Sequence, residues 1–552
     1  MPNRITDYAI LLAAAATLTL PHLGDSSLWD VDEGVNAEAA REMREAGTWV
    51  VPTFNYELRT AKPVMLYWLQ RASYAAFGVS EWSARFPSVL ASWLTILLTY
   101  ELARRMFGRG TGLLAGIVLA SAIEFCMLAH AATPDATLLL FTVLTFFLFW
   151  MGHENGSRRW WTWTAAACGL AALTKGPVGV ALPGLVLLLY FAWNREPGRL
   201  LDWKLLRAAG VFLLVAGPWY GLVTSETRGE WAKAFFLNEN VNRALTSMED
   251  HSGPVFYHAA ALLALFAPWS VFLAGTVWFG VKETVSNANE VRPHRFLICW
   301  FGAYLVFFSL VRTKLPNYVL PLYPALAILT ARFLTRWADG ILTARRWMMP
   351  GAVVAMLLVG IITSVGLLAA GGALNLGKMR TFPGLSPWGV LGVVPLGGAV
   401  AMAIALRRGN RPAFLMITAT ASVPFVGLIA AFPAREMDRY KAPRELVHAG
   451  GVADPDRDLR LGCYDWFQPS VVFYAQRKVE KLPSVEAAAD FLAIPTPGYL
   501  FVAEPTWTQW IEPTVRVPYR VAARHFDFYR NCEVLLIAND ASSREAIQAR
   551  KE

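Results

Sequence analysis

The feature that most constrains this chain is an alternation of apolar runs, each able to cross about 30 Å of hydrocarbon, with short turns rich in lysine and arginine. The runs fall near residues 8–22, 86–104, 111–128, 132–151, 160–174, 177–193, 206–223, 256–280, 295–311, 318–335, 349–371, 387–406 and 412–432, about thirteen in all. Such a pattern predicts a polytopic α-helical membrane protein, because backbone amides in hydrocarbon must be paired within their own helix. Apolar residues are 55% of the sequence and charged residues 16%, with mean hydropathy +0.38, which excludes an ordinary soluble globule. The first run follows Arg4 as a signal peptide would, yet it has no small-residue cleavage site and leads directly into Pro21-His22, so it reads as a retained span. A formal charge of +9 does not indicate nucleic acid here. The cations lie between spans, where they set topology and meet membrane lipids, and there is no convincing G-x-G-x-x-G or Walker loop.

Sidedness follows from the turns. One alternate set holds Arg104-Arg105, Arg158-Arg159, Arg195 with Arg199 and Lys204, Lys282 with Arg292 and Arg295, Arg345-Arg346, and Arg407-Arg408 with Arg411. The opposite turns hold few cations, so the positive-inside rule puts the N-terminus in the cytoplasm. An odd number of spans then puts the tail outside, together with long loops at 23–85 and 224–255. The expected organisation is a transmembrane domain over 1–432 and a small soluble α/β domain over 433–552, where short apolar runs at 459–462, 499–502 and 534–537 alternate with helix-like segments at 470–477 and 485–492. Cys463 and Cys532 share that outer domain and are candidates for a disulfide in an oxidising compartment, whereas Cys126, Cys168 and Cys299 lie in spans as packing residues.

The outer side gathers ionisable residues. Trp29-Asp30-Val31-Asp32-Glu33-Gly34 places three carboxylates within four residues just after the first span, either as an ordinary acidic helix start or as chemistry. Segments 37–46 and 65–77 have the composition of helices lying in the membrane interface, with Lys62-Pro63 in a cationic turn between them. Alone, Lys62 reads as a snorkelling lysine, Asp135 after Pro134 as a helix cap, Lys175 in Thr174-Lys175-Gly176-Pro177 as a headgroup-level loop residue, and Lys314 before Leu315-Pro316-Asn317-Tyr318 as a headgroup anchor. The second outer loop offers a short amphipathic helix with Glu239, Asn240 and Arg243, then Glu249-Asp250-His251. An acid-plus-histidine turn can bind a divalent metal, but the absence of regular ligand spacing favours solvated loop residues.

Together these loops supply Asp32, Glu33 and Asp135 with Lys62, Lys175, Arg243 and Lys314 beside an interfacial aromatic surface. That set suits a phosphate on a long lipid: Lys and Arg hold the phosphate, the tail stays in hydrocarbon, and a carboxylate orients or deprotonates an attacking hydroxyl. A lipid-linked sugar transporter also needs a cationic cavity, but would place charge near mid-membrane and show repeated halves, which this sequence does not. A scaffold role leaves the clustering of charge on one face unexplained.

Asp30-Val31-Asp32-Glu33-Gly34 with Ala37-Glu38 and Arg41-Glu42-Met43, then Gly47-Thr48-Trp49-Val50-Val51-Pro52 and Lys62-Pro63 with Tyr67-Trp68, resembles the first outer loop of the aminoarabinose transferase and protein O-mannosyltransferase superfamily of GT-C glycosyltransferases. Pro134-Asp135, Thr174-Lys175-Gly176-Pro177, Phe236 through Arg243 with His251, and Lys314-Leu315-Pro316-Asn317-Tyr318 with Pro321 extend the likeness over most of residues 1–335. The resemblance implies a GT-C fold and an inverting sugar transfer from a polyprenyl-phosphate-linked donor on the periplasmic face of a bacterial inner membrane. It makes 4-amino-4-deoxy-L-arabinose a candidate sugar, and lipid A, a protein hydroxyl or a surface glycan the candidate acceptor. By the same resemblance, Asp32 matches the acid of the catalytic centre and Lys62 a lysine that contacts the donor phosphate. Aminoarabinose transferases commonly carry an acidic residue before that lysine, able to join a histidine in binding metal; Ala61 stands there in this sequence, so a divalent metal at His251 lacks that ligand.

Overall fold

The computed structural model describes residues 2–154, 156, 160–200, 204–242, 252–286, 290–374, 377 and 380–539. They divide into two compact units, residues 1–23, 60–66 and 85–434 in one and residues 24–59, 67–84 and 435–552 in the other.

The first unit is helical. Among the described residues eight helices are long and apolar enough to cross a membrane, and two bent pairs, Arg109–Ala120 with Ile123–Ala129 and Tyr257–Leu265 with Trp269–Val285, raise the number to ten. Shorter helices at Pro2–Thr19, Trp160–Lys175 and Val178–Trp193 occupy the other three segments that the apolar pattern marks. The bends have local causes: Ser121 and Ala122 interrupt the first pair, and Ala267-Pro268 the second. The interior is rich in aromatic edges and faces, with Phe146, Phe149, Tyr190, Phe296 and Trp300 in mutual contact, and the Trp300 indole donates to the Pro321 carbonyl at 2.8 Å. Several charged groups within it are paired, as in Arg109 on Asp7 at 2.8 Å and Arg332 and Arg336 on Glu290.

The second unit contains all seven strands of the described residues. A hairpin of β1 (Thr53–Phe54) and β2 (Glu57–Leu58) turns on Asn55 and Tyr56, both with positive φ, as a two-residue hairpin turn of this hand requires. The sheet proper comprises β3 (Arg460–Tyr464), β4 (Val479–Lys481), β5 (Gly498–Ala503), β6 (Tyr519–Asp527) and β7 (Cys532–Asn539), in the order β4-β3-β5-β7-β6. Strands β4, β3 and β5 are parallel, joined through helices Ser470–Ala475 and Val485–Ala493, and β5, β7 and β6 are antiparallel. Every residue of β5 is buried, as befits a central strand covered on both faces. The α/β expectation for the C-terminal segment thus holds, with β4 and β6 added.

Two expectations change. Cys463 and Cys532 are free. Cys463 is in register with Phe501 on β5, and Phe501 with Leu536 on β7, so Cys532 lies two strands across and four residues along. That offset is roughly 10 Å by 13 Å at ordinary strand spacings, beyond the ~7 Å Cα limit of a disulfide. The polar stretch at 37–46 is also no exposed interfacial helix. It belongs to the helix Asp32–Glu45, in which residues 33–43 are all buried because it packs against the Ser470–Ala475 helix within this unit. The Met65–Phe77 helix has the bounds the sequence suggests.

Candidate functional site

In the first unit, the Pro134–Glu154 helix begins with Asp135 and the Trp160–Lys175 helix ends with Lys175. Proline fits the first helical position, and a lysine in a last turn faces the negative end of its helix. The two side chains meet as an ion pair, Lys175 Nζ to Asp135 Oδ1 at 2.6 Å, and the Lys175 ammonium lies 5.5 Å from the Tyr318 ring centroid. Gly176 follows with a φ of +70°, and a Cβ there would stand 2.5 Å from the Phe235 ring, so glycine both makes the turn and admits the ring.

Phe235 is part of a π-helix, Ala234–Asn242, where the amphipathic helix of the second outer loop was expected. The wide turn is braced by Asn240, whose side-chain amide donates to the Phe235 carbonyl at 2.8 Å, and by Trp231 stacked on Phe235 at 4.6 Å. Such wide turns recur at functional sites because they displace side chains from regular helical positions.

These elements enclose a cavity of about 520 Å³ lined by Lys62, Asp135, Lys175, Glu239, Asn240, Asn317 and Tyr318, among largely apolar neighbours that include Leu138, Phe236, Phe307 and Pro321. Lys62 is near enough for its charge to act on Asp135 as Lys175 does. Two lysines and two carboxylates, Asp135 and Glu239, therefore share a largely apolar wall, where charges act on one another and on a ligand far more strongly than in water. Ala61 also lines the cavity, and no group of three His, Cys, Asp or Glu side chains among the described residues forms a metal site. Ala61 has no side-chain ligand to offer, so the described residues do not fit a metal.

The cavity thus unites Lys62, Asp135, Lys175 and Tyr318. It does not include Lys314, whose ammonium donates to the carbonyls of Phe308, Ser309 and Val311 at 3.1, 2.6 and 2.5 Å. All three of its donors serve the end of the Val291–Leu310 helix, a C-terminal cap in place of the expected anion contact. Arg243 and His251 lie outside the described residues. Asn240 and Asn317 join the wall as neutral polar groups inside motifs whose charged residues drew attention first.

Asp32 and Glu33 belong to the second unit. Asp32 opens its helix with an exposed carboxylate. Glu33 is buried and locked: its carboxylate accepts the Trp29 N–H at 2.8 Å while its own N–H donates to the Trp29 carbonyl at 3.0 Å. This reciprocal pairing at a helix start occupies the Glu33 carboxylate, whereas that of Asp32 is exposed. Asp30 has a third role. Its carboxylate accepts the Ser470 N–H at 2.8 Å and the Ser470 hydroxyl, across 440 residues of sequence. Burial pushes its pKa up to about 7 against these hydrogen bonds, and burial likewise raises Asp527.

Comparison with known proteins gives a consistent picture. The family described as Dolichyl-phosphate-mannose-protein mannosyltransferase matches residues 61–221. An uncharacterized protein of Aquifex aeolicus is 35% identical over 315 residues, covering 56% of this chain and 69% of that protein. The undecaprenyl phosphate-alpha-4-amino-4-deoxy-L-arabinose arabinosyl transferase of Erwinia tasmaniensis is 32% identical over 334 residues, 59% of each chain. The chain therefore spans less than two thirds of the length of the curated arabinosyl transferase it matches. Among solved structures, ArnT from Cupriavidus metallidurans bound to undecaprenyl phosphate is similar at a TM-score of 0.80 and 26% identity, with 98% of both chains covered.

Proposed function

We infer the function of this chain from its family: it belongs to the aminoarabinose transferase and protein O-mannosyltransferase superfamily of GT-C glycosyltransferases, and we propose that it transfers a sugar from a polyprenyl-phosphate donor to an acceptor on the periplasmic face of a bacterial inner membrane. The observation that carries this reading is the cavity that brings Lys62 and Lys175 together beside Asp135 in a largely apolar wall. An anionic headgroup on a long apolar tail matches both halves of that lining. Lys62 and Lys175 hold the phosphate as point charges, and Asp135 fixes the direction of the Lys175 ammonium.

In the proposed reaction an acceptor oxygen attacks the anomeric carbon, the bond from that carbon to the phosphate oxygen breaks, and polyprenyl phosphate leaves with the electron pair. The leaving group is already ionised, so cationic stabilisation of the charge developing on it lowers the barrier and acid assistance is dispensable. Asp32, with its exposed carboxylate at the start of its helix, is the residue we assign to orient or deprotonate the acceptor. The likeness to arabinosyl transferases makes 4-amino-4-deoxy-L-arabinose the sugar and lipid A the acceptor to test first.

The test is transfer from radiolabelled undecaprenyl-phosphate-linked aminoarabinose in detergent, with lipid A, peptide and glycan offered separately to wild type and Asp32→Asn. Labelled lipid A that disappears in a folded Asp32→Asn protein is the expected result. Label on another acceptor moves the substrate and keeps the chemistry. No donor consumption, with movement of the intact lipid-linked sugar across reconstituted vesicles, replaces the transferase by a transporter.

A further inference from the structure

The second unit holds the four residues that lead into Asp32 from every side. The Ser27 N–H and hydroxyl donate to Asp438 Oδ1 at 2.8 and 2.5 Å, and its carbonyl accepts the buried Lys441 ammonium at 2.7 Å. The Leu28 N–H donates to the Tyr474 hydroxyl at 2.7 Å. The Trp29 ring lies under Lys441, 4.1 Å from its ammonium, and edge-on to Phe528. The Asp30 N–H donates to the Tyr529 hydroxyl at 2.9 Å, and the Asp30 carboxylate takes both donors of Ser470. Apart from the Trp29 N–H, which Glu33 takes, these partners all come from residues 438–529.

The density of these contacts exceeds what attaching a domain to a loop requires. Four successive residues are held by six residues of the C-terminal segment, and the next helix begins two residues beyond Asp30. Gly34 shows how close the fit is, since a Cβ there would stand 2.6 Å from the Ser470 nitrogen. We propose that residues 435–539 act as a positioning clamp for the transfer reaction, with Ser470, Tyr474 and Tyr529 fixing the backbone at 27–30 and thereby the place of the Asp32 carboxylate. This rests on the assignment of Asp32 to the chemistry. The clamp residues act through Asp32 and touch no reactant themselves. A reacting group held loosely loses rate steeply, by as much as about 100-fold for a 1 Å displacement, while donor binding by separate residues is unaffected.

The test uses full-length protein and the undecaprenyl-phosphate-linked sugar as donor, with kcat and donor KM measured separately. Asp30→Ala, which removes both acceptors of Ser470, is expected to lower kcat about 10- to 100-fold with donor KM within about twofold. Asp30→Asn, which keeps an acceptor for the Ser470 N–H and can donate to its hydroxyl, is expected to restore kcat to within about threefold of wild type. Tyr474→Phe combined with Tyr529→Phe removes only two hydroxyls and is expected to lower kcat without changing KM, which keeps the test decisive if Asp30→Ala fails to fold. Equal kcat in wild type, Asp30→Ala and the tyrosine pair, while Asp32→Asn is inactive, overturns the clamp alone. Full activity in Asp32→Asn overturns the catalytic assignment instead. A kcat that equals wild type in every variant once rates are expressed per folded molecule reduces the clamp to a fold contact.

Discussion

Replacing Gly34 with alanine sets two physical effects against each other. In an isolated helix the change is favourable by about 1 kcal/mol, since alanine loses less backbone entropy than glycine. Here the new Cβ would stand 2.5 Å from Asp30 Oδ1 and 2.6 Å from the Ser470 nitrogen. Ordinary contact begins near 3.4 Å, so backbone or helix must move by roughly 1 Å, at a cost of about 1–3 kcal/mol. The movement separates Asp30 from Ser470, which sacrifices hydrogen bonds of about 1–3 kcal/mol between them. The net expectation is a loss of about 1–5 kcal/mol confined to this contact. Hydrogen exchange read by mass spectrometry suits a local effect: peptides covering 27–34 and 466–476 should exchange about 10- to 100-fold faster, while peptides from the Pro134–Glu154 helix stay unchanged. Slower exchange at 27–34, the outcome helix propensity alone demands, would refute the reasoning.

Three further outcomes follow from the same geometry. Asp135→Asn or Lys175→Met alone breaks the buried ion pair and should lower stability in detergent by about 3–5 kcal/mol, whereas the double variant, inactive in transfer, should melt closer to wild type than either single one; additive losses contradict the pairing. Lys314→Met should cost about 2–4 kcal/mol of stability through three lost carbonyl contacts yet leave donor KM within about twofold, and a large rise in KM would return Lys314 to the phosphate. Asp30, with a pKa near 7 when folded against an ordinary 3.8, binds its proton more tightly in the folded chain, so its contribution is present at pH 4 and lost as pH rises through 7. Exchange protection of the 466–476 peptide, corrected for intrinsic rate, should therefore fall between about pH 4 and 7 in wild type relative to Asp30→Asn and level off above; parallel profiles would show that the carboxyl is ionised throughout.

Much of the architecture was legible because its signals are local. Apolar length marks the spans, Pro134 and the Gly176-Pro177 turn mark helix ends, and the short apolar runs at 459–462, 499–502 and 534–537 overlap three of the strands. Lys62, Asp135 and Lys175 stood out because isolated charges in an apolar sequence attract attention, and the fold brings them to one cavity. What stayed hidden depends on partners distant in sequence or on backbone atoms without a sequence signature. Lys314 has the look of an anion ligand, and nothing in Arg312-Thr313-Lys314 says that its ammonium turns back onto three carbonyls. Asp30, Asp32 and Glu33 are interchangeable on paper; Ser470 decides that the first is a clamp contact, and Trp29 that the third is a helix lock. The cysteines share a domain, and strand order alone separates them.

The most direct test of the central claim, that the cavity holds the donor phosphate, is the affinity of full-length protein for undecaprenyl phosphate in detergent, compared between wild type and Lys62→Met. Lys62 lines the cavity without being half of the Asp135–Lys175 pair, so its loss removes charge while that contact stays intact. The account predicts saturable binding by wild type and at least about tenfold weaker binding by the variant, with unchanged melting, as fits the loss of about 1.4 kcal/mol or more from one charge-assisted contact. Equal affinity for the two proteins, or a wild type that does not bind, would contradict it.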